Sequence, residues 1–256
     1  MRAMRAICVA AMLPVFCAHA ADVHELVATA RQRIEKADLH ASGHLVWVKA
    51  DGQRTSFPIS FKAHWFPGAL RVLVDIGQPS NVKTEMREHV LLEMRADGES
   101  TVQIAHPGDA AAHTLPFDKW NVEFMGPAFS YEDFVEEQYF WPVQTAEGTA
   151  KFGARDCDII KSAPGAGIRT HYSEVKTWLD HTIDFPVYAE KTVKETGALK
   201  EFTYFGIRHD EGVWSAKQIE VKTHGQQGST LLIIDRGSTK ANLAVSDFSP
   251  AQLTRF

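Results

Sequence analysis

A mainly β chain, α+β in class, built around one antiparallel sheet with a single greasy face is what this sequence predicts, and three observations carry the prediction. From Phe57 to Trp65 every odd position is apolar (Phe57, Ile59, Phe61, Ala63, Trp65) while Ser60, Lys62 and His64 alternate with them, which is the period of a strand that buries one face. The same period returns at Leu70, Val72, Val74 and Ile76, at Trp120, Val122 and Phe124, and at Ile219 and Val221 between Gln218, Glu220 and Lys222. Only one long helical pattern accompanies these strands, so the sheet has more apolar face than helix to hide it and is expected to curl around a hollow.

Residues 1–20 read as a secretory leader: Arg2 and Arg5, an apolar run from Ala6 to Phe16, then Ala18-His19-Ala20 at the cleavage site. A lipid anchor on Cys17 is the competing reading, but Pro14-Val15-Phe16 is not the small-residue context such processing uses. Residues 21–256 then form one domain, exported to the periplasm, with no apolar stretch near the roughly 20 residues of a membrane span. Removal of the leader takes Cys8 and Cys17 and leaves Cys157 alone, so no internal disulfide holds the core. The formal charge of the whole chain is −5 and loss of the leader arginines makes it more negative. An acidic domain without a basic cluster argues against nucleic acid as a partner and against adsorption to anionic lipid.

Asp22 and Glu25 have capping-box spacing, and Val23, Leu26, Val27, Ala30, Ile34 and Ala37 follow at helical intervals, which predicts a helix over 23–37. At 1.5 Å per residue it is roughly 22 Å long, against on the order of 50 Å for ten or more strands about 4.8 Å apart. Strands are expected at 40–49, 54–65, 69–77, 84–95 and 100–105, with turns at Asp51-Gly52, Pro67-Gly68 and Asp97-Gly98. Residues 106–117 read as a loop over the sheet, and Trp120 to Phe124 as a further strand. Ser130 and Asp133 open a short helix through about Glu137. A meander follows at 142–149, 152–163, 171–180, 186–196, 199–208, 213–224 and 229–236, punctuated by glycine and proline, and Ser249-Pro250-Ala251 starts a last helical turn.

The chemistry-bearing residues are sparse in recognisable patterns. Twelve histidines contain no H-x-H or H-E-x-x-H spacing, and His209-Asp210-Glu211 before Gly212 reads as a solvated turn rather than a metal site. No G-x-S-x-G, P-loop or G-x-G-x-x-G is present, no cofactor is implied, and no nucleophile and base can be paired into a hydrolase. Asp156 and Asp158 flank Cys157 and oppose its ionisation, the mark of an inert thiol. Glu132, Asp133, Glu136 and Glu137 are accounted for as acids in the first turn of a short helix. Six tryptophans (Trp47, Trp65, Trp120, Trp141, Trp178, Trp214) fall on or beside expected strands. They fit either a filled core or the aromatic wall of a cavity, since both give the same pattern.

Gly126-Pro127-Ala128-Phe129-Ser130-Tyr131-Glu132-Asp133-Phe134, Cys157-Asp158-Ile159-Ile160 and the run from Tyr172 to Asp180 combine with Phe185-Pro186-Val187, Gly197-Ala198-Leu199-Lys200, Trp214 and the earlier segment Pro79 to Thr84. In their order and spacing these resemble the LolA-like periplasmic proteins that sort outer-membrane lipoproteins. The resemblance implies a strongly curved antiparallel sheet forming an incomplete barrel, with the N-terminal helix and short helices as a lid over a cavity that takes lipid chains. It further implies a non-enzymatic carrier of a lipid or lipoprotein in a Gram-negative periplasm, working beside an inner-membrane transporter and towards an outer-membrane acceptor. One departure stands out: Phe66 precedes Pro67 where the best-known carriers place an arginine that links sheet to lid. Combined with the alternation above, this reading puts Trp47, Phe57, Phe61, Trp65, Val72, Val74, Leu92, Met94, Trp120, Phe124, Ile219 and Val221 on the cavity face, and Leu26, Val27 and Ile34 on the lid. Strands such as 44–48 and 231–234 are apolar on both sides, so the parity of that face stays open. The same architecture also suits a periplasmic regulator that binds another protein's segment.

Overall fold

A computed structural model describes residues 22–95, 97–123 and 126–256; the leader and Phe124 lie outside them. The expected N-terminal helix is α1, Val23–Glu35, started by the Asp22 carboxylate, which accepts from the His24 N–H at 2.9 Å. Six strands follow: β1 Asp38–Val48, β2 Arg54–Phe66, β3 Ala69–Ile76, β4 Glu88–Arg95, β5 Thr101–Ala105 and the two-residue β6 His113–Thr114. After a long crossing segment come β7 Val143–Phe152, β8 Arg155–Ala163, β9 Tyr172–Asp180, β10 Pro186–Val193, β11 Leu199–Phe205, β12 Arg208–Asp210, β13 Val213–Ser215, β14 Gln218–Thr223 and β15 Ser229–Ser238. The chain ends in a 3-10 turn, Val245–Phe248, and α2, Pro250–Leu253.

Among the described residues thirteen strands form one antiparallel sheet in the order β6-β5-β4-β3-β2-β1-β15-β14-β11-β10-β9-β8-β7, while β12 and β13 pair as a separate ribbon. Each half is a meander, and the two are joined where β15 lies beside β1. The sheet curves without closing into a barrel. At the seam a register shift falls at Ser42/Gly43. A Cβ on Gly43 would collide with the Ile233 carbonyl oxygen, so the close approach of the two meanders requires glycine there. Pro58 is tolerated inside β2 because the pairing of β3 begins at Ile59. Its carbonyl accepts from Gly77 at 2.7 Å on that side, and no ladder donor is missed.

One face of the sheet carries the main apolar core, drawn from Leu45, Phe57, Val72, Val74, Val90, Leu92, Phe202 and Val221 among others, and closed by Phe129, Phe134 and Tyr139 of the crossing segment. The opposite face of β3 and β4 is covered by the C-terminal turns, where Phe248 and Leu253 pack on Leu73 and Leu91. Phe66 belongs to this outer side, edge to face with Phe248 at 5.6 Å. A side chain at position 66 therefore points away from the cavity face of the sheet.

Three expectations are corrected. Trp120 to Glu123 is not a strand: a 3-10 turn, Phe117–Lys119, leads into it, and Trp120 is buried with its indole N–H on the Leu115 carbonyl at 3.0 Å. The short helix after Ser130 is two 3-10 turns, Tyr131–Phe134 and Glu137–Phe140. The strand expected over 213–224 splits into β13 and β14, because the chain leaves the sheet at Gly206 and returns at Lys217, whose N–H donates to the Phe205 carbonyl at 3.0 Å.

Candidate functional site

Between the inner face of the sheet and the crossing segment lies a cavity of about 260 Å³. The sheet contributes Phe61, Leu70, Val72, Phe202, Tyr204, Ile219, Leu232 and Ile234. The end of α1 adds Ile34 and Ala37, and the crossing segment adds Phe129, Phe134 and Val135. The β12–β13 ribbon supplies Val213 and Trp214 to the wall while Arg208, His209 and Asp210 stay exposed, so the ribbon stands at the solvent side of the hollow.

The segment from Gly126 to Phe134 is held down by its own sequence. Gly126 has φ +143, and a Cβ there would collide with the Thr230 hydroxyl and press on Trp47. That hydroxyl donates to the Pro127 carbonyl at 2.7 Å. Ala128 takes φ +67 although it has a side chain, a conformation that persists only where the surroundings enforce it. Its N–H donates to the Glu123 carboxylate at 3.0 Å, and the reversal buries Phe129. Ser130 then caps the next turn, its N–H and Oγ both donating to Asp133 Oδ2 at 2.9 and 2.8 Å.

Asp133 is the hub of a buried polar cluster. Lys191 Nζ approaches its Oδ1 at 3.1 Å and Lys200 Nζ its Oδ2 at 3.1 Å, with the Asp133, Lys191 and Lys200 side chains 0%, 5% and 6% exposed. The Tyr172 hydroxyl donates to Oδ1 at 2.7 Å. Burial alone would raise the Asp133 carboxyl, but the Lys200 and Lys191 ammoniums, with hydrogen bonds from Tyr172 and Ser130, hold it well below the usual carboxylate range. A second polar station joins helix to crossing segment: Arg33 donates to Glu136 Oε2 at 2.6 Å, and the Tyr204 hydroxyl to Glu136 Oε1 at 3.1 Å. Beyond the cavity wall His171 meets Glu132 at 3.0 Å. Burial, and then the Glu132 charge, push the Glu137 carboxyl up to about 7.

The acids read as the first turn of a short helix do more than meet its dipole: Glu132, Asp133 and Glu136 each have a buried or half-buried basic partner, His171, Lys191 and Arg33. Of the cavity-face residues expected from sequence, Phe61, Val72 and Ile219 line the hollow, as does Ile34 from the lid. Phe57, Val74, Leu92, Met94, Trp120 and Val221 lie in the packed core around it, and Trp47 and Trp65 pack against that core. Leu26 and Val27 pack on Ile160 and Leu179, on the same inner face of the sheet but over β8 and β9 rather than at the hollow. Among the six tryptophans only Trp214 contributes to the wall. Lys191 and Lys200 were missed, yet a signal existed: each interrupts an apolar alternation (Val187, Ala189, Lys191, Val193; Lys200, Phe202, Tyr204) at a position that should face inward.

Cys157 is buried, with burial raising its thiol above the usual range. Among the described residues no three His, Cys, Asp or Glu side chains are arranged to hold a metal ion, and no helix is long and apolar enough to cross a membrane.

A curved open sheet with a covered apolar hollow defines the class. Residues 117–255, more than half of the chain, match a family described as "Uncharacterized protein", and the chain belongs to that family. Among solved structures it resembles a putative outer membrane lipoprotein-sorting protein domain from Vibrio parahaemolyticus (20% identity, TM-score 0.80, 91% of this chain and 98% of that one). It also resembles a DUF1329 family protein from Desulfovibrio piger (16%, 0.77, 90% and 97%) and a LolA superfamily protein from Nitrosomonas europaea (14%, 0.64, 88% and 99%). The chain shares its fold with these three proteins. No curated protein sequence matches the chain.

Proposed function

We propose that the protein is a periplasmic carrier that holds an acyl chain of a lipid or lipoprotein in this cavity, receiving it from an inner-membrane transporter and passing it towards the outer membrane. The observation that carries the reading is the hollow itself: a wall of Phe, Leu, Val and Ile side chains around about 260 Å³, left open where an ordinary core would be filled. A methylene takes up about as much room as a water molecule, ~30 Å³, so the space suits on the order of nine methylenes of a single chain. At ~0.8 kcal/mol each, their burial offers roughly 7 kcal/mol before the cost of ordering the chain. Release then requires the crossing segment or the β12–β13 ribbon to move, because nothing in the chemistry of the wall changes on delivery. Four of the polar side chains that line the hollow (Asp133 with Lys191, Glu136 with Arg33) are engaged in ion pairs rather than set as nucleophile and base, which supports binding over turnover. Native mass spectrometry of gently purified protein, with organic extraction of the bound fraction, is expected to show one acyl-bearing molecule per chain. A uniformly empty protein that also fails to take up added lipid would end this reading.

A further inference from the structure

We propose that the cavity selects an amphiphile with a single chain and an anionic head, and that Lys191 is the residue that receives the head; the inference rests on the carrier reading and sharpens it. The first support is a count of charge. One carboxylate, Asp133, stands between two buried ammoniums, Lys191 and Lys200, both at 3.1 Å. The set in mutual contact therefore holds one positive charge more than it neutralises, in a place where an unanswered charge is costly.

The second support is an asymmetry between the two lysines. Lys200 does not line the cavity, and four oxygens surround its three protons: Asn121 Oδ1 at 2.6 Å, Ser130 Oγ at 3.0 Å, the Tyr172 hydroxyl at 3.0 Å and Asp133 Oδ2 at 3.1 Å. Lys191 does line the cavity, and among the described residues its one hydrogen bond goes to Asp133 Oδ1, an oxygen that already accepts from Tyr172. The cation also lies over the ring faces of Phe202 at 4.5 Å and Tyr172 at 5.0 Å. Those faces attract the cation but offer its N–H groups no lone pair.

The third support lies at the other polar station. Arg33 lines the same hollow, and its buried Nε has no acceptor. Two donors on cavity-lining side chains, Lys191 Nζ and Arg33 Nε, thus have hydrogen-bonding capacity left to fill. Glu137, whose field Lys191 also feels, lies outside the lining. A carboxylate or phosphate at the end of one hydrocarbon chain supplies the missing acceptors and the missing negative charge together.

The test measures quenching of tryptophan fluorescence, which Trp214 reports from the cavity wall, by dodecanoate, dodecyl phosphate, dodecanol and dodecyltrimethylammonium below their micellar concentrations. Dodecanoate, dodecyl phosphate or both are expected to bind about tenfold or more tighter than dodecanol, with the quaternary ammonium weakest, and whichever anion binds tighter identifies the head. The ratio of anion to alcohol should fall to about one in Lys191→Met and return in Lys191→Arg. Equal affinity for anion and alcohol in the unaltered protein overturns the inference while leaving the carrier reading intact, and needs no variant that might misfold. A preference that survives Lys191→Met also overturns it. Failure of all four probes to bind removes the carrier reading and this inference with it.

Discussion

The two meanders that share one sheet solve the burial of their inner faces in opposite ways. Along β2, β3 and β4 the inward positions are Phe57, Ile59, Phe61, Ala63, Leu70, Val72, Val74, Ile76, Val90, Leu92 and Met94, an apolar surface whose stability comes from area and fit. Along β9, β10 and β11 the buried positions include Thr177, Lys191 and Lys200 next to Val175, Ala189 and Phe202. There the apolar face is interrupted by ionised groups that hold only because Asp133 descends from the crossing segment to meet them. The cavity lies across the join, with a greasy wall on one side and charge on the other. A packed half sets the shape of the hollow and a polar half gives it chemical preference.

The comparison breaks most directly at Asp133. Asp133→Asn leaves two buried ammoniums without an anion and is expected to cost about 3–5 kcal/mol in urea unfolding at pH 7. Because folding depresses this carboxyl, its contribution is complete above its unfolded pKa of about 3.9 and disappears as pH falls through the lower folded value. The gap between variant and parent should therefore narrow in acid. Phe57→Ala, in the apolar half, is expected to cost a similar ~3–5 kcal/mol, but with a gap that does not depend on pH. If both gaps respond to pH alike, the contrast between the halves fails.

Glu137 tests the polar half with the opposite sign. Its folded pKa is raised to about 7, so the neutral form is favoured on folding. Its stabilising contribution is complete below about 4.3 and is lost as pH rises through about 7. Glu137→Gln should remove this decline, gaining on the order of 3 kcal/mol over the parent by pH 8 in denaturant titrations; a decline of the same size in the variant would contradict the assignment.

Smaller effects sharpen the role of the cavity. Ile219→Trp pushes a larger side chain into the hollow and is expected to cost ~1–3 kcal/mol at most while abolishing retention of acyl-bearing molecules in native mass spectrometry. Retention at parental levels would place the ligand elsewhere. Glu211→Ala acts on the ribbon alone. The Glu211 carboxylate accepts from the Thr239 N–H at 2.6 Å and hydroxyl at 3.0 Å and from the Ser238 hydroxyl at 3.1 Å, tying the ribbon's turn to the end of β15. Its loss should speed ligand exchange a few-fold in stopped-flow fluorescence without moving Tm; unchanged exchange would show that the ribbon is not the gate.

Where alternation is long and one-sided, as from Phe57 to Trp65, the sequence reveals strand, face and parity together, because only a half-buried strand rewards that pattern. The capped helix after Asp22 is legible for the same local reason. Trp120 and Val122 misled, since so short an apolar alternation is too little to separate a strand from a turn that happens to bury its aromatic. The β12–β13 ribbon was hidden because the alternation continues through Trp214 while the chain leaves the sheet at Gly206, an event set by a contact between Gly206 and Lys217 rather than by any local pattern. The polar cluster was unreadable as a cluster: Asp133, Lys191 and Lys200 are far apart in the chain and meet only through tertiary packing. Each alone resembled an ordinary charged residue.

The central claim, that an acyl chain occupies the hollow between the sheet and the crossing segment, is tested most directly by a crystal structure of the protein grown with a fatty acid brominated near its methyl end. The account predicts anomalous scattering from bromine among Phe61, Val72, Ile219 and Leu232, inside the cavity these residues line. Bromine bound only on the outer face of the sheet, or none bound while the hollow fills with ordered water, would contradict it.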